Sequence, residues 1–457
     1  MMLDRVFAHI RSHEADYLAR VMDYVRHPSI SAQNIGITDV AALLVNMLGA
    51  LGMQVEAVPT KGHPMVLGRR GHDPAKPTVL LYGHYDVQPP EPLDQWISPP
   101  FEPTIRDGRI WARGIGDNKG QHFAQLMAIE AWLAVAGELP CNVIFLLEGE
   151  EEIGSPRIAD FVRDHADRLR ADLVVTADGP LHASGLPVIT FGVRGMVSFD
   201  LVARTANNDT HSGNHGGTMP NAIWTLVHLL ASMKTPGGEI TIAGLHDPII
   251  PPSAAERDAV ARLPLDVAGY KRGLDIAELD APRDRPFWDR LMFHPTLTIN
   301  GLHGGYGGAG SKSVLPHEAV AKCDIRLVEA MTPDQVIDCV RAHVARHAPG
   351  VTVVARGGML PSKTPITSAW AGVIREAVIA ARGVEPLMYP VVGGSLPDYV
   401  FTKILKTDAF VVPYANFDEA NHAPNENLEI ALFYAGIRTG AALLHHLGQM
   451  TPGRAPA

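Results

Sequence analysis

Residues 142–155 read NVIFLLEGEEEIGS. Asn142 to Leu147 form a short, nearly continuous apolar run, which predicts a buried strand. Directly after it, Glu148, Glu150, Glu151 and Glu152 place four carboxylates within five positions. Like charges repel at this spacing, and a buried carboxylate is costly without a partner. Either the cluster is a solvated acidic turn that complements the next helix, or it faces a cation. Ser155 and Pro156 predict that helix, with the serine as N-cap and the proline at its first position.

Working outward, the same alternation of strand and helix recurs. Upstream lie a helix (about 3–26), a second from Thr38, and the candidate strands MQVEAV, PMVLGRR and TVLLYGH. A long helix follows Asn118, and the strand DLVVTAD follows the acid cluster. This order predicts an α/β domain with a mostly parallel sheet and helices on both faces. After about residue 195 the order becomes β-α-β-β-α-β, the ferredoxin-like α+β plan with an antiparallel sheet. A long irregular insertion, about 236–290, interrupts it. Helix, strand (AFVVPY) and helix return after about 370. The predicted organisation is an α/β domain formed by 1–194 and 371–457, interrupted by a smaller α+β domain at 195–370.

At 457 residues the chain has room for two or three such domains. Its formal net charge of −10, with no offsetting basic run, argues against nucleic-acid or membrane-surface binding. No apolar run reaches the roughly 18 residues of a membrane span. The N-terminus is charged throughout and lacks the apolar core of a signal peptide. Cys141, Cys323 and Cys339 lie outside any C-x-x-C pattern, which predicts a reducing, cytoplasmic setting and no cysteine metal site.

In open α/β sheets, ligands gather beyond the carboxyl ends of the strands. TVLLYGHYD ends in His84 and Asp86, NVIFLL in the glutamates, DLVVTAD in Asp178, and AFVVPYANFDEANH runs to His422. Asp117 sits where GIGDNKG enters the long helix. Each has an ordinary reading alone: a surface His–Asp pair, a helix cap, a turn acid, a packed histidine. Their recurrence after several buried strands points to a shared site. Imidazole mixed with carboxylate suits borderline divalent metals, and two metals need about four to six such groups with one carboxylate shared.

GHYDVQP, GRGIGDNKG, LEGEEEIGS, TADGP, DTHSGNHGG and NHAPNEN, in this order, resemble the motifs of the M20 metallopeptidases, and within them the cytosolic carnosinase-like dipeptidases. The resemblance covers nearly the whole chain. It implies two divalent ions in the α/β domain, and a ferredoxin-like domain acting as lid and homodimerisation module. It implies that His84, Asp117 and Asp178 hold one ion and Asp117, Glu152 and His422 the other. Asp86 would orient His84. Glu151 would be the general base, drawing a proton from a water acidified by both ions and returning it to the leaving amine. His211, in the lid, would stabilise the oxyanion, with the partner subunit as one source of it. Arg326 would bind the substrate carboxylate, and GGSLP, with Gly394 and Ser395, would form a substrate loop.

Two positions depart from the pattern. Val391 and Val392 stand before GGS where the dipeptidases usually carry Arg-Glu, and Asn118 follows Asp117 where aspartate is common. Losing that glutamate weakens the case for a free substrate amine. The expected activity is therefore di-metal hydrolysis of a small peptide, of dipeptidase or carboxypeptidase type, with N-acyl-amino-acid deacylation as the alternative and a non-catalytic binding protein as a remote one. Zinc, manganese and cobalt all tolerate such a ligand set.

Overall fold

The computed structural model describes every residue except 281, 283, 284 and 451–457. The α/β part contributes β1 (Gln54–Val58), β2 (Met65–Arg70), β3 (Thr78–His84), β4 (Asn142–Glu148), β5 (Leu173–Thr176) and β6 (Val188–Thr190). The second part supplies β7 (Gly195–Arg204), β8 (Thr296–Gly304), β9 (Glu318–Leu327) and β10 (Val351–Met359). The chain then returns with β11 (Leu387–Tyr389) and β12 (Ala409–Val411). The eight-stranded sheet runs β1-β2-β4-β3-β5-β12-β6-β11. Its centre, β4-β3-β5-β12, is parallel, while β1-β2, β2-β4 and β12-β6 pair antiparallel. The sheet is thus mixed with a parallel middle.

Side chains of successive strand residues point to opposite faces. Val143, Phe145 and Leu147 pack into a core with helices α1 (Met2–Ser12), α2 (Glu14–Val25), α3 (Ile37–Ala50), α4 (Lys119–Ala136) and, later in the chain, Trp370–Arg382 and Ile430–Leu447. Ile144 and Leu146 pack on the other face with α5 (Ile158–Asp164) and the π-helical turn Val400–Leu405. Burial on both faces explains why β4 reads as an unbroken apolar run. From β3 the chain crosses to β4 on one side and then to β5 on the other. The connection reverses there, which opens a crevice beyond the strands' carboxyl ends.

The second part is an antiparallel sheet ordered β8-β9-β7-β10. Helices α6 (Ala222–Met233) and α7 (Pro333–His347) build its core with Leu201, Ala321 and Ile325. This is the expected ferredoxin-like plan, joined to the larger part through a short ladder between Gly192–Val193 and Ser362–Lys363.

Three local expectations are corrected. Ser155 does not cap a helix: its φ is +52° and its hydroxyl donates to Glu148 Oε2 at 3.2 Å. The helix starts at Ile158, because the buried glutamate has claimed the capping side chain. The first helix is two helices meeting at His13. The insertion is not structureless, since it holds the helices Ala254–Ala261, Val267–Gly273 and Phe287–Phe293. Ser253 and Glu256 form a capping box at the first of these.

Candidate metal centre

The crevice gathers its groups from five loops. β3 delivers His84, fully buried. Asn118 Oδ1 accepts the His84 N–H at 3.2 Å and its Nδ2 donates to Ala177 O at 2.5 Å, which ties the ends of β3 and β5 together. Asp117 precedes it in a turn shaped by Glu426. Glu426 Oε1 accepts the N–H groups of Gly116 (2.8 Å) and Asp117 (2.9 Å), and its Oε2 accepts Gly114 N–H (2.9 Å) and Arg113 Nη1 (2.7 Å). Glu151 and Glu152 lie in a single 3-10 turn beyond β4. The Asp86 carboxylate accepts both of their N–H groups, at 3.2 and 3.0 Å.

Two triads result. His84 Nε2 lies 3.0 Å from Asp117 Oδ1 and 3.4 Å from Asp178 Oδ2. His422 Nε2 lies 3.0 Å from Asp117 Oδ2 and 3.2 Å from Glu152 Oε2. The two oxygens of one aspartate thus face two different histidines. Gln88 Nε2 steadies Glu152 Oε2 at 2.9 Å. The His422 side chain is 55% exposed, so the cluster opens to solvent on that side.

The electrostatics are strained in one direction. Burial opposes charge on Asp117, but bonds to His422 and His84 hold its carboxyl well below the usual range. Burial, reinforced by Asp117, pushes Glu152 up to about 7, and burial likewise raises Asp178. Glu151 is pushed well up by burial and by the neighbouring acids, with His84 opposing. Hydrogen bonds donated by its imidazole to Asp117 and Glu152 raise His422 to about 11. His84 is raised despite its burial, by bonds to Asp117, Asp178 and Asp86.

The donor set fits divalent cations. His84, Asp117 and Glu152 each offer a ligand atom within 4.8 Å of the others. Among the described residues, both oxygens of Glu419 are buried without a hydrogen-bond partner, and Asp178 Oδ2 is buried with His84 Nε2 3.4 Å away. Buried acids this dense lack compensation that a dication supplies, and imidazole with carboxylate is the mixture that zinc, manganese and cobalt accept.

The remaining expected residues divide. Asp86 touches His84 chiefly through its backbone carbonyl, 3.0 Å from Nδ1, with its carboxylate at 3.5 Å. Arg326 Nη1 donates to Ser395 Oγ at 2.7 Å, so these two meet, and Gly394 O accepts the Arg194 N–H at 3.1 Å. His211 does not reach the cluster within one chain: it is exposed, and its Nδ1 accepts Gly213 N–H at 3.0 Å. Glu148 and Glu150 are buried, not solvated. Tyr82 donates to Glu148 at 2.6 Å, and burial pushes Glu148 up to about 8. Glu426, Glu419 and Gln88 went unassigned from sequence. Glu426 stands inside NHAPNEN, yet nothing in the string says its carboxylate will receive N–H groups more than three hundred positions away.

A parallel-centred sheet with paired histidine–carboxylate triads at its switch point, under a ferredoxin-like domain, defines a metal-dependent hydrolase. The model of peptidase family M20/M25/M40 matches residues 80–446. The chain belongs to that family, and it is a metallopeptidase that hydrolyses the C–N bonds of small substrates. It is 30% identical to a Cys-Gly metallodipeptidase of Schizosaccharomyces pombe, covering 99% of this chain and 100% of the relative. It resembles the crystal structure of an M20 family metallo-carboxypeptidase from Sulfolobus solfataricus, with TM-score 0.90 and 33% identity over 95% of this chain and 99% of that one. Human carnosine dipeptidase 1 gives TM-score 0.83 and 28% identity, covering 98% and 100%.

Proposed function

We propose that the chain is a di-metal dipeptidase or carboxypeptidase whose cations are held by His84, Asp117 and Asp178 on one side and by Asp117, Glu152 and His422 on the other. The observation that carries this is the division of Asp117's two oxygens between two histidines. When bound, the cations supply Lewis acidity, polarising the scissile carbonyl and acidifying water. Glu151, held above the ordinary carboxylate range by its burial and free of the His422 contact that Glu152 makes, takes a proton from the attacking water and returns it to the leaving amine. Asp86 keeps Glu151 and Glu152 in place through their N–H groups. Arg326 and the Gly394–Ser395 loop hold the substrate carboxylate.

His211 stabilises the oxyanion from the partner subunit of a homodimer. The exposed edge of β8, with Ile299 and Leu302, and the exposed Trp224 on α6 support a lid-to-lid dimer. Three unpaired cysteines fit a cytoplasmic setting. Among the described residues, no helix is long and apolar enough to cross a membrane.

A second reading, N-acyl-amino-acid deacylation, is supported by Val391. Val391 packs with Leu263, Met292 and Phe293 in place of the expected arginine, and Val392 stands in place of the expected glutamate, leaving no carboxylate there for a free amine. A panel of free dipeptides and their N-acyl analogues, run with zinc or manganese, tests both readings. Dipeptide turnover sustains the first. N-acyl substrates cleaved much faster favour the second, and no turnover of either removes both.

A further inference from the structure

Arg194 sits in the link between Val193 and β7, where the chain passes from one part to the other. It is 6% exposed, yet it lines a cavity of about 630 Å³ together with Arg326. Both guanidiniums are fastened to one loop. Arg194 Nε donates to Gly393 O at 2.9 Å, and Arg326 Nη1 to Ser395 Oγ at 2.7 Å. Among the described residues, Arg194 Nη1 is buried with no hydrogen-bond partner. A Cβ at position 393 would stand 2.8 Å from Leu291 Cδ1 and 3.3 Å from Arg194 Nη2, so the glycine lets the loop approach both side chains.

Charge is unbalanced at this point. Asp324 Oδ1 lies 3.9 Å from Arg326 Nε, and the same carboxylate also accepts a bond from Asn300. Elsewhere in the cavity, Lys234 pairs with Asp280 and Arg285 with Glu239, and Arg290 donates to the Asp280 carbonyl. Among the described residues, the charges that act on Arg194 are Arg326 and Asp324, one acid against two guanidiniums in a largely buried place. Burial and the neighbouring Arg326 pull Arg194 down to about 10, the direction expected of a cation short of counter-charge. An arginine stays charged in a protein, so the cost persists until an anion arrives.

We infer that Arg194 and Arg326 form a two-guanidinium subsite, in which Arg326 takes the main-chain carboxylate and Arg194 the side-chain carboxylate of a leaving aspartate or glutamate. This rests on the peptidase reading and on Arg326 as its carboxylate anchor. A carboxylate occupies one guanidinium fork with two parallel bonds, so a second fork calls for a second acid.

The test compares Ala-Glu with Ala-Gln, each also as its N-acetyl form, in the metal-loaded enzyme. A buried charge-assisted bond is worth roughly a ten- to hundredfold preference, so kcat/KM for Glu exceeds that for Gln by that factor, carried by KM. Arg194→Met brings the Glu/Gln ratio close to one. Glutarate competes at least roughly tenfold more tightly than butyrate in the wild type, which needs no variant. Equal rates for Glu and Gln with normal turnover, or equal inhibition by the two acids, overturn this inference and leave the peptidase reading intact. Failure to cleave any member overturns both.

Discussion

At the scale of single residues, Glu151 and Glu152 are neighbours in one 3-10 turn yet differ in their contacts. Glu152 lies 3.2 Å from His422, while Glu151 donates its N–H to Asp86 and its carbonyl accepts Gly154 N–H. Glu151→Gln is therefore expected to lower kcat by about 100- to 10,000-fold, as loss of a general base does, with metal content by elemental analysis unchanged. Wild-type rates in that variant would sink the assignment. Glu426 acts differently, because it receives three backbone N–H groups and the fully buried Arg113. Glu426→Ala strands that guanidinium and is expected to cost about 3–5 kcal/mol in urea unfolding. A loss below 1 kcal/mol would show that water or a neighbour replaces it.

At the scale of elements, the end of β4 makes stability depend on pH. Glu148 titrates near 8 in the folded chain against an ordinary 4.5, because it is buried, with Tyr82's bond opposing. The folded state thus binds its proton more tightly. Its stabilising contribution is whole below about pH 4.5 and is lost as pH rises through 8. Glutamine stays neutral throughout. In chelator-treated protein, Glu148→Gln should gain on the wild type by roughly 2–3 kcal/mol between pH 6 and pH 9, read by denaturant unfolding at both. A pH-independent difference would show that Glu148 is ionised in the fold. This element also marks where sequence reading stops. The apolar run Asn142–Leu147 announced the strand correctly, since burial on both faces needs only composition. Ser155 beside Pro156 announced a cap wrongly, because its hydroxyl is spent on Glu148, a partner set by the fold of the turn.

At the scale of the whole molecule, six of the sheet's eight strands and the β-α-β-β-α-β unit were legible from alternation and order, while the short strands β6 and β11 were not; His84, Asp117, Asp178 and His422 were legible as strand-end and loop groups, and Glu152 was set apart from its cluster by the family resemblance. The service residues were not, because Asn118, Gln88 and Glu426 act through backbone groups brought near by topology alone. His211 is the other gap, exposed and away from the triads within one chain. If it serves the partner, mixing inactive Glu151→Gln with inactive His211→Ala should regenerate about a quarter of wild-type activity, since half the dimers are mixed and each has one intact site. No recovery after confirmed subunit exchange would place His211 elsewhere. The central claim is that one aspartate serves two cations, and the metal-to-protein ratio of Asp117→Ala tests it most directly. The wild type should hold about two equivalents of zinc or manganese per chain and the variant close to none. A variant that keeps one full equivalent, or both, would contradict a shared ligand.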